Sequence, residues 1–242
     1  MPILNAYTPV GQLVSDHVSR ALVFERLGID FCCGGKMPLA QVCAERGLDV
    51  NRVLRELEAS DALETETERV DWSSATMTEL VDHIVTKHHA YLRAELPRLE
   101  TLSQKVAQVH GKQHPELLEL NDTFCNLKSE LDNHMLKEER VLFPYIKCLE
   151  TGVPDGNFHC GSISTPITVM IYEHEAVGAN LERMRALTNG YQAPADACTS
   201  YQALLAGLGD LEADLHQHVH KENNILFPKA ILAEAASYAE IL

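Results

Sequence analysis

The sequence predicts an all-α protein: a small N-terminal helical domain over 1–60, a linker over 61–75, and an antiparallel four-helix bundle over 76–242. Three observations carry this expectation. Apolar residues recur at alternating steps of three and four along four long segments, and β-patterned alternation is nearly absent. Turn-forming stretches separate those segments at "VHGKQHPE", "TGVPDGNFHCGSISTP" and "TNGYQAPADACT". Finally, a helix pair is written twice. "HMLKEERVLFP" at His134–Pro144 returns as "HVHKENNILFP" at His218–Pro228, with six of eleven positions identical. His134 follows His89 by 45 residues and His218 follows His174 by 44, so the repeat spans a whole helix hairpin.

Taken in order, Thr8-Pro9 reads as a helix start, with Thr8 as N-cap and Pro9 at the first helical position. "SRALVFERLGID" predicts a short amphipathic helix closed by Gly28, and "PLAQVCAERGLDVNRVLRELEAS" predicts two more. Between them, "DFCCGGK" sets adjacent Cys32 and Cys33 before two glycines. "DALETETERVDWSS" is polar and acidic, as a linker is. The bundle helices are expected to begin near Thr76, Pro115, Pro166 and Thr199, with "PKAILAEAASYAEIL" adding a short terminal helix.

Composition narrows the function classes. With 45% hydrophobic and 23% charged residues over 242 positions, the chain is of ordinary soluble, globular type and long enough for a substantial core. A net charge of −15 without any Lys/Arg cluster argues against nucleic acid or an anionic membrane surface as partner. No apolar run approaches the roughly 18 residues of a membrane span. The opening segment lacks the basic and apolar regions of a signal peptide. Seven cysteines without a disulfide rhythm point to a reducing cytoplasm, and twelve histidines point towards metal.

Four apolar stripes carry the chemistry. Leu120, Phe124, Leu127, Leu131, His134, Glu138 and Val141 form one; Leu208, Leu211, Leu215, His218, Glu222 and Ile225 form its repeat. Ile167, Met170, His174, Val177, Leu181 and Met184 form the third. Val85, His89, Leu92, Leu96 and Leu99 form the fourth, where His88 also lies near the apolar face and periodicity alone does not choose between the two histidines. Each stripe should face the bundle centre, bringing together four histidines and two glutamates. Two buried carboxylates without Lys or Arg on their stripes would each cost several kcal/mol, and a cation removes that cost. At i and i+4 an imidazole and a carboxylate project from one face and can bind one ion. The set lacks thiolate and exceeds what a tetrahedral zinc needs, so a pair of Fe or Mn ions fits best, with the nitrogen-rich set favouring iron.

The His…His-x-x-x-Glu…His…His-x-x-x-Glu pattern resembles the hemerythrin-like di-iron bundle. "DFCCGGK" ahead of it resembles the short N-terminal domain of the iron–sulfur cluster repair di-iron proteins, the RIC or ScdA family. Together the two cover about Thr8 to Pro228. The resemblance implies that His89, His134, Glu138, His174, His218 and Glu222 ligate two iron ions in a carboxylate-bridged centre. It further implies repair of clusters damaged by nitric oxide or oxidants by supplying iron, with damaged iron–sulfur proteins as partners and a second copy of the chain in a homodimer. Two alternatives keep the same ligands: a di-iron enzyme that reduces NO, and a module that binds NO or senses O2.

Around these ligands, Glu130, one turn before His134, and Glu173, directly before His174, are candidates to orient a ligand imidazole or relay a proton. His216 and His220 share a polar face and are expected at the surface, as are His17, His83, His110, His114 and His159. Cys32 and Cys33 are candidate reactive thiols: glycines and Lys36 nearby favour access and some thiolate character. They could receive iron or a nitrosyl group, or dock with the client. No partner spacing marks Cys43, Cys125, Cys148, Cys160 or Cys198.

Overall fold

The computed structural model describes residues 4–63, 72–151 and 162–239. Most of the expected linker lies outside those residues, as does the middle of the "TGVPDGNFHCGSISTP" break with His159 and Cys160. Regular structure among the described residues is helical throughout, apart from an isolated bridge between Pro9 and Pro38. The chain divides into two compact units, Met1–Leu80 with His216–Leu242, and Val81–Leu215.

In the first unit four short helices, α1 (Val10–Asp16), α2 (Arg20–Leu27), α3 (Leu39–Arg46) and α4 (Val50–Leu63), enclose a core of Leu13, Val14, Phe24, Phe31, Leu39 and Leu57. The predicted stop at Gly28 holds, α2 ending there at φ 65°, and α3 ends likewise on Gly47 at φ 66°; both are left-handed positions that a side chain would strain. The predicted start is one residue off. Pro9 itself is the cap residue, with extended backbone, and α1 begins at Val10 without a side-chain cap. Arg20 is buried, yet it donates to both Asp61 oxygens at 2.8 and 2.6 Å and to the Leu13 carbonyl at 3.0 Å, so its charge is matched. The C-terminal stretch belongs to the same unit: Val219 joins this core, and Lys229 donates to the Ala75 carbonyl at 2.6 Å.

The second unit holds the bundle. Thr76 and Glu79 form a reciprocal capping box ahead of α5 (Met77–His83), the Glu79 N–H donating to Thr76 Oγ1 at 3.1 Å and the Thr76 N–H to the Glu79 carboxylate at 2.9 Å. The helix continues through a π turn at Ile84–His89 into α6 (Ala90–His110). Then come α7 (Glu116–Lys137), a second π turn at Glu138–Leu142, α8 (Phe143–Thr151), α9 (Ser164–Leu187) and α10 (Thr199–Lys221). Past Leu215 α10 belongs to the first unit, where a third π turn at Glu222–Leu226 leads into α11 (Phe227–Ala239). Cross-helix pairs fix the directions. Along α5 and α6, Asp82, Arg93 and Glu100 meet Lys147, Glu139 and Lys128 in falling order, so α5–α6 and α7–α8 are antiparallel. Glu173, Asn180 and Arg183 meet Lys137, Glu130 and Glu119, so α7 and α9 are antiparallel too. His88 against Asp214 and Lys105 against Ser200 run α10 opposite to α6. One continuous core fills the space between, from Leu92, Leu96 and Leu99 through Phe124 and Leu131 to Leu181, Leu208 and Leu211.

The second and third π turns are local and have a sequence cause. Phe143 donates its N–H to the Glu138 carbonyl and Phe227 donates to Glu222, each five residues back, one more than in an α-helix. In both places a proline follows. Pro144 and Pro228 have no N–H and their rings exclude the ordinary ladder behind them, so the helix widens by one residue and restarts with Phe-Pro in its first turn. The repeated "LFP" thus encodes a repeated break in register, placed just after a glutamate.

Candidate metal centre

The end of α7 and the first residue of the second π turn present His134 and Glu138; the last residue of the first π turn presents His89, and the middle of α9 presents His174. All four are 2% exposed or less. The two Glu138 oxygens face two imidazoles, Oε2 lying 3.3 Å from His89 Nε2 and Oε1 3.4 Å from His134 Nε2. His134 Nε2 also lies 3.1 Å from His174 Nε2. Phe143 stacks on the His89 ring at 5.7 Å between centroids. In the second copy, His218 and Glu222 occupy the corresponding positions, both buried, with Nε2 and Oε1 3.0 Å apart.

Protonation follows from the outer side of the rings. His89 Nδ1 sits 2.6 Å from Glu139 Oε1, and His134 Nδ1 sits 2.8 Å from Glu173 Oε2. A carboxylate only accepts, so both Nδ1 atoms carry the proton and donate it, and in the neutral ring both Nε2 atoms aim a lone pair inward. Those lone pairs point at the Glu138 carboxylate, another electron-rich group. A cation between them turns repulsion into ligation. The donor atoms of His134, Glu138 and His174 lie within 4.8 Å of one another, as do those of His89 and Glu138 and those of His218 and Glu222. The arrangement offers a metal ion nitrogen and oxygen donors, with no thiolate among these residues.

Comparison with known proteins agrees. The Hemerythrin HHE cation binding domain family matches residues 80–230, and the ScdA_N domain, described as of unknown function, matches residues 6–61. A probable iron-sulfur cluster repair protein of Haemophilus influenzae is 36% identical over 86% of this chain and 90% of its own length. The iron-sulfur cluster repair protein YtfE of Edwardsiella ictaluri is 38% identical over 92% of this chain and 96% of its own. That of Escherichia coli O157:H7 is 37% identical over 93% and 97%. The chain belongs to the hemerythrin-like iron–sulfur cluster repair family.

Of the two carboxylates expected to steady ligands in this family member, Glu173 is placed to do so and Glu130 is not, since Glu130 instead accepts from Asn180 at 3.1 Å. Glu139 joins Glu173 in this role from across the bundle, fifty positions from His89, a contact that spacing along one helix does not reveal. Burial pushes the carboxyls of both Glu139 and Glu173 upward, but this is outweighed by hydrogen bonds, for Glu139 from His89 and Arg93 and for Glu173 from Lys137 and His134, so both end below the usual range. His88, also fully buried, turns away to Asp214 Oδ1 at 2.9 Å and leaves His89 to meet Glu138.

The expected surface position does not hold for His220, and His216 is half-buried. His220 is 3% exposed, 3.4 Å from the Phe31 carbonyl and 3.3 Å from Ser15 Oγ, and burial lowers its pKa to about 4. His216 Nδ1 lies 3.1 Å from Glu25 Oε1. The N-terminal helices cover this face, which stripe counting within one helix cannot reveal. Of the others, His110 lies 3.2 Å from Cys198 Sγ, and His114 pairs with Asp196 and Glu116, which together raise its pKa.

The cysteine loop departs from expectation as well. Cys32 is 6% exposed and its thiol is pushed well above the ordinary range, first by its hydrogen bond to Cys33, then by burial and the Asp30 charge. Asn223 and Asn224 donate to the Cys32 carbonyl at 3.3 and 3.0 Å, fastening this loop to the π turn that begins at Glu222. The signal for them was legible: the first copy has Glu139-Arg140 where the second has Asn223-Asn224, a divergence inside an otherwise repeated motif.

Proposed function

We propose that this chain holds two iron ions through His89, His134, Glu138, His174, His218 and Glu222, and restores damaged iron–sulfur clusters by supplying iron. The observation that carries this is the inward aim of the His89 and His134 lone pairs at buried Glu138. His218 and Glu222 complete the set in this reading. They repeat the His134–Glu138 pair, and α10 continues the core stripe of Leu208, Leu211 and Leu215 directly into them. Four imidazoles and two carboxylates exceed a tetrahedral zinc site and suit a pair of iron ions. The repair role comes from the names of the relatives, which match nearly the whole chain. When bound, iron would supply open coordination positions for NO or O2 and a store that can be given up.

The chain's own residues set how firmly that store is held. Glu139 is shared between His89 and Arg93, and Glu173 between His134 and Lys137. The cationic partners reduce the basicity of each carboxylate, so the Nδ1 proton stays on the imidazole. A neutral imidazole is a weaker donor than an imidazolate, which suits an ion that is to leave. The test follows the metal: the protein is loaded anaerobically with Mössbauer-active iron, mixed with an NO-damaged cluster protein and separated from it. Label in the rebuilt cluster is the expected result. Label retained in the bundle with NO bound or consumed would replace supply with NO chemistry.

A further inference from the structure

Outside the histidine–glutamate centre, one other group among the described residues brings metal-ligating atoms together: Asp30, Cys32 and Cys33, whose donor atoms lie within 4.8 Å of one another. We propose that these three residues form a second metal site, taking one thiophilic divalent ion such as Fe2+ or Zn2+ and leaving its fourth position to solvent or to an incoming ligand.

The distances carry the argument. A tetrahedral ion with metal–sulfur bonds of about 2.3 Å sets its two sulfurs roughly 3.8 Å apart. Cys32 Sγ and Cys33 Sγ are 3.8 Å apart. Adjacent side chains on an extended strand point to opposite faces, so this convergence is made by the loop. Asp30 makes it: its Oδ1 accepts the N–H of Cys32 at 3.0 Å and of Cys33 at 2.9 Å, and its Oδ2 accepts that of Gly34 at 2.8 Å. A carboxylate offers about four acceptor positions, two on each oxygen; the Cys32 and Cys33 amides fill those of Oδ1, and Oδ2, which takes only the Gly34 amide, keeps one for a metal.

The loop is also held from behind. Asn224 donates to the carbonyls of Phe31 and Cys32, and Gly11 donates to the Gly35 carbonyl at 2.8 Å. A side chain at Gly35 would meet the Phe31 carbonyl at 2.7 Å, so only glycine allows this packing. Three corners of a tetrahedron are thus preset, with Asp30 exposed and Cys33 half-buried on the open side. Binding balances without redox change: the ion replaces one proton on each thiol, two metal–sulfur bonds form, and two protons pass to solvent.

The full chain, its histidine–glutamate centre already loaded with iron, is titrated anaerobically with Co2+. The expected result is a near-ultraviolet sulfur-to-cobalt charge-transfer band that saturates at one equivalent per chain. It should be lost in Cys33→Ser and shifted to higher Co2+ in Asp30→Asn. A histidine–carboxylate site lacks sulfur and gives no such band, so the signal belongs to this loop. X-ray absorption on the Zn2+-loaded native chain, which needs no variant, should count two sulfur neighbours. Absence of the band, its survival in Cys33→Ser, or zinc without sulfur neighbours would each overturn the proposal. The site does not depend on iron supply: a cobalt band together with failed label transfer would overturn only the supply reading.

Discussion

At the scale of single residues, the two carboxylates behind the ligand rings separate position from proximity. Glu139 meets a ligand nitrogen and Glu130, expected from spacing to do the same, meets Asn180 instead. Glu139→Gln keeps the size and can still accept from His89, but it removes the charge that favours the Nδ1 proton. Such partners of ligand histidines typically matter about 10- to 100-fold in metal affinity. Competition of the protein with a chromophoric chelator should therefore show Glu139→Gln weakened by about that factor. Glu130→Gln should be indistinguishable from the native chain. Equal affinities for all three would mean that the His89–Glu139 pair is only structural.

At the scale of elements, the π turns tie the sequence to the site. Hydropathy stripes showed where His134, Glu138, His218 and Glu222 fall, because helix period and burial speak in the same pattern. They did not show that the helix widens there, and the extra residue shifts the stripe: Val141, expected on it, is exposed, and Leu142 is buried instead. Nor did they show the burial of His220, whose covering residues Ser15 and Phe31 lie some two hundred positions away in sequence. The prolines make the turn testable. Pro144→Ala restores a backbone donor and lets an α ladder re-form across Arg140–Pro144. A change of this kind at an accommodating site alters stability by about 1 kcal/mol or less. The turn that sets Glu138 towards both His89 and His134 would be lost, so metal affinity should drop while the melting temperature of the apo protein barely moves. A variant that binds metal as the native chain does, with unchanged thermal unfolding, would show that the ligand geometry does not need the proline.

At the scale of the whole molecule, the metal centre opposes the apo fold and supports the loaded one. Glu138 and Glu222 are fully buried among apolar helices, and His89, His134 and Glu138 crowd lone pairs together. Without a cation those groups cost free energy, whereas binding to the native state alone adds stability as the logarithm of ligand excess, about 4 kcal/mol at a thousandfold excess over Kd. Two opposite shifts follow. Chelation should lower the melting temperature of the native chain by several degrees, a few degrees per kcal/mol for a domain of this size. Glu138→Gln should melt higher than native when both are metal-free, because the buried charge is gone, yet gain little or nothing when metal is added. Calorimetry of the four samples decides it. If Glu138→Gln were less stable than native in the metal-free state, the carboxylate would be satisfied by the protein itself, and the case for a cation at this centre would fail.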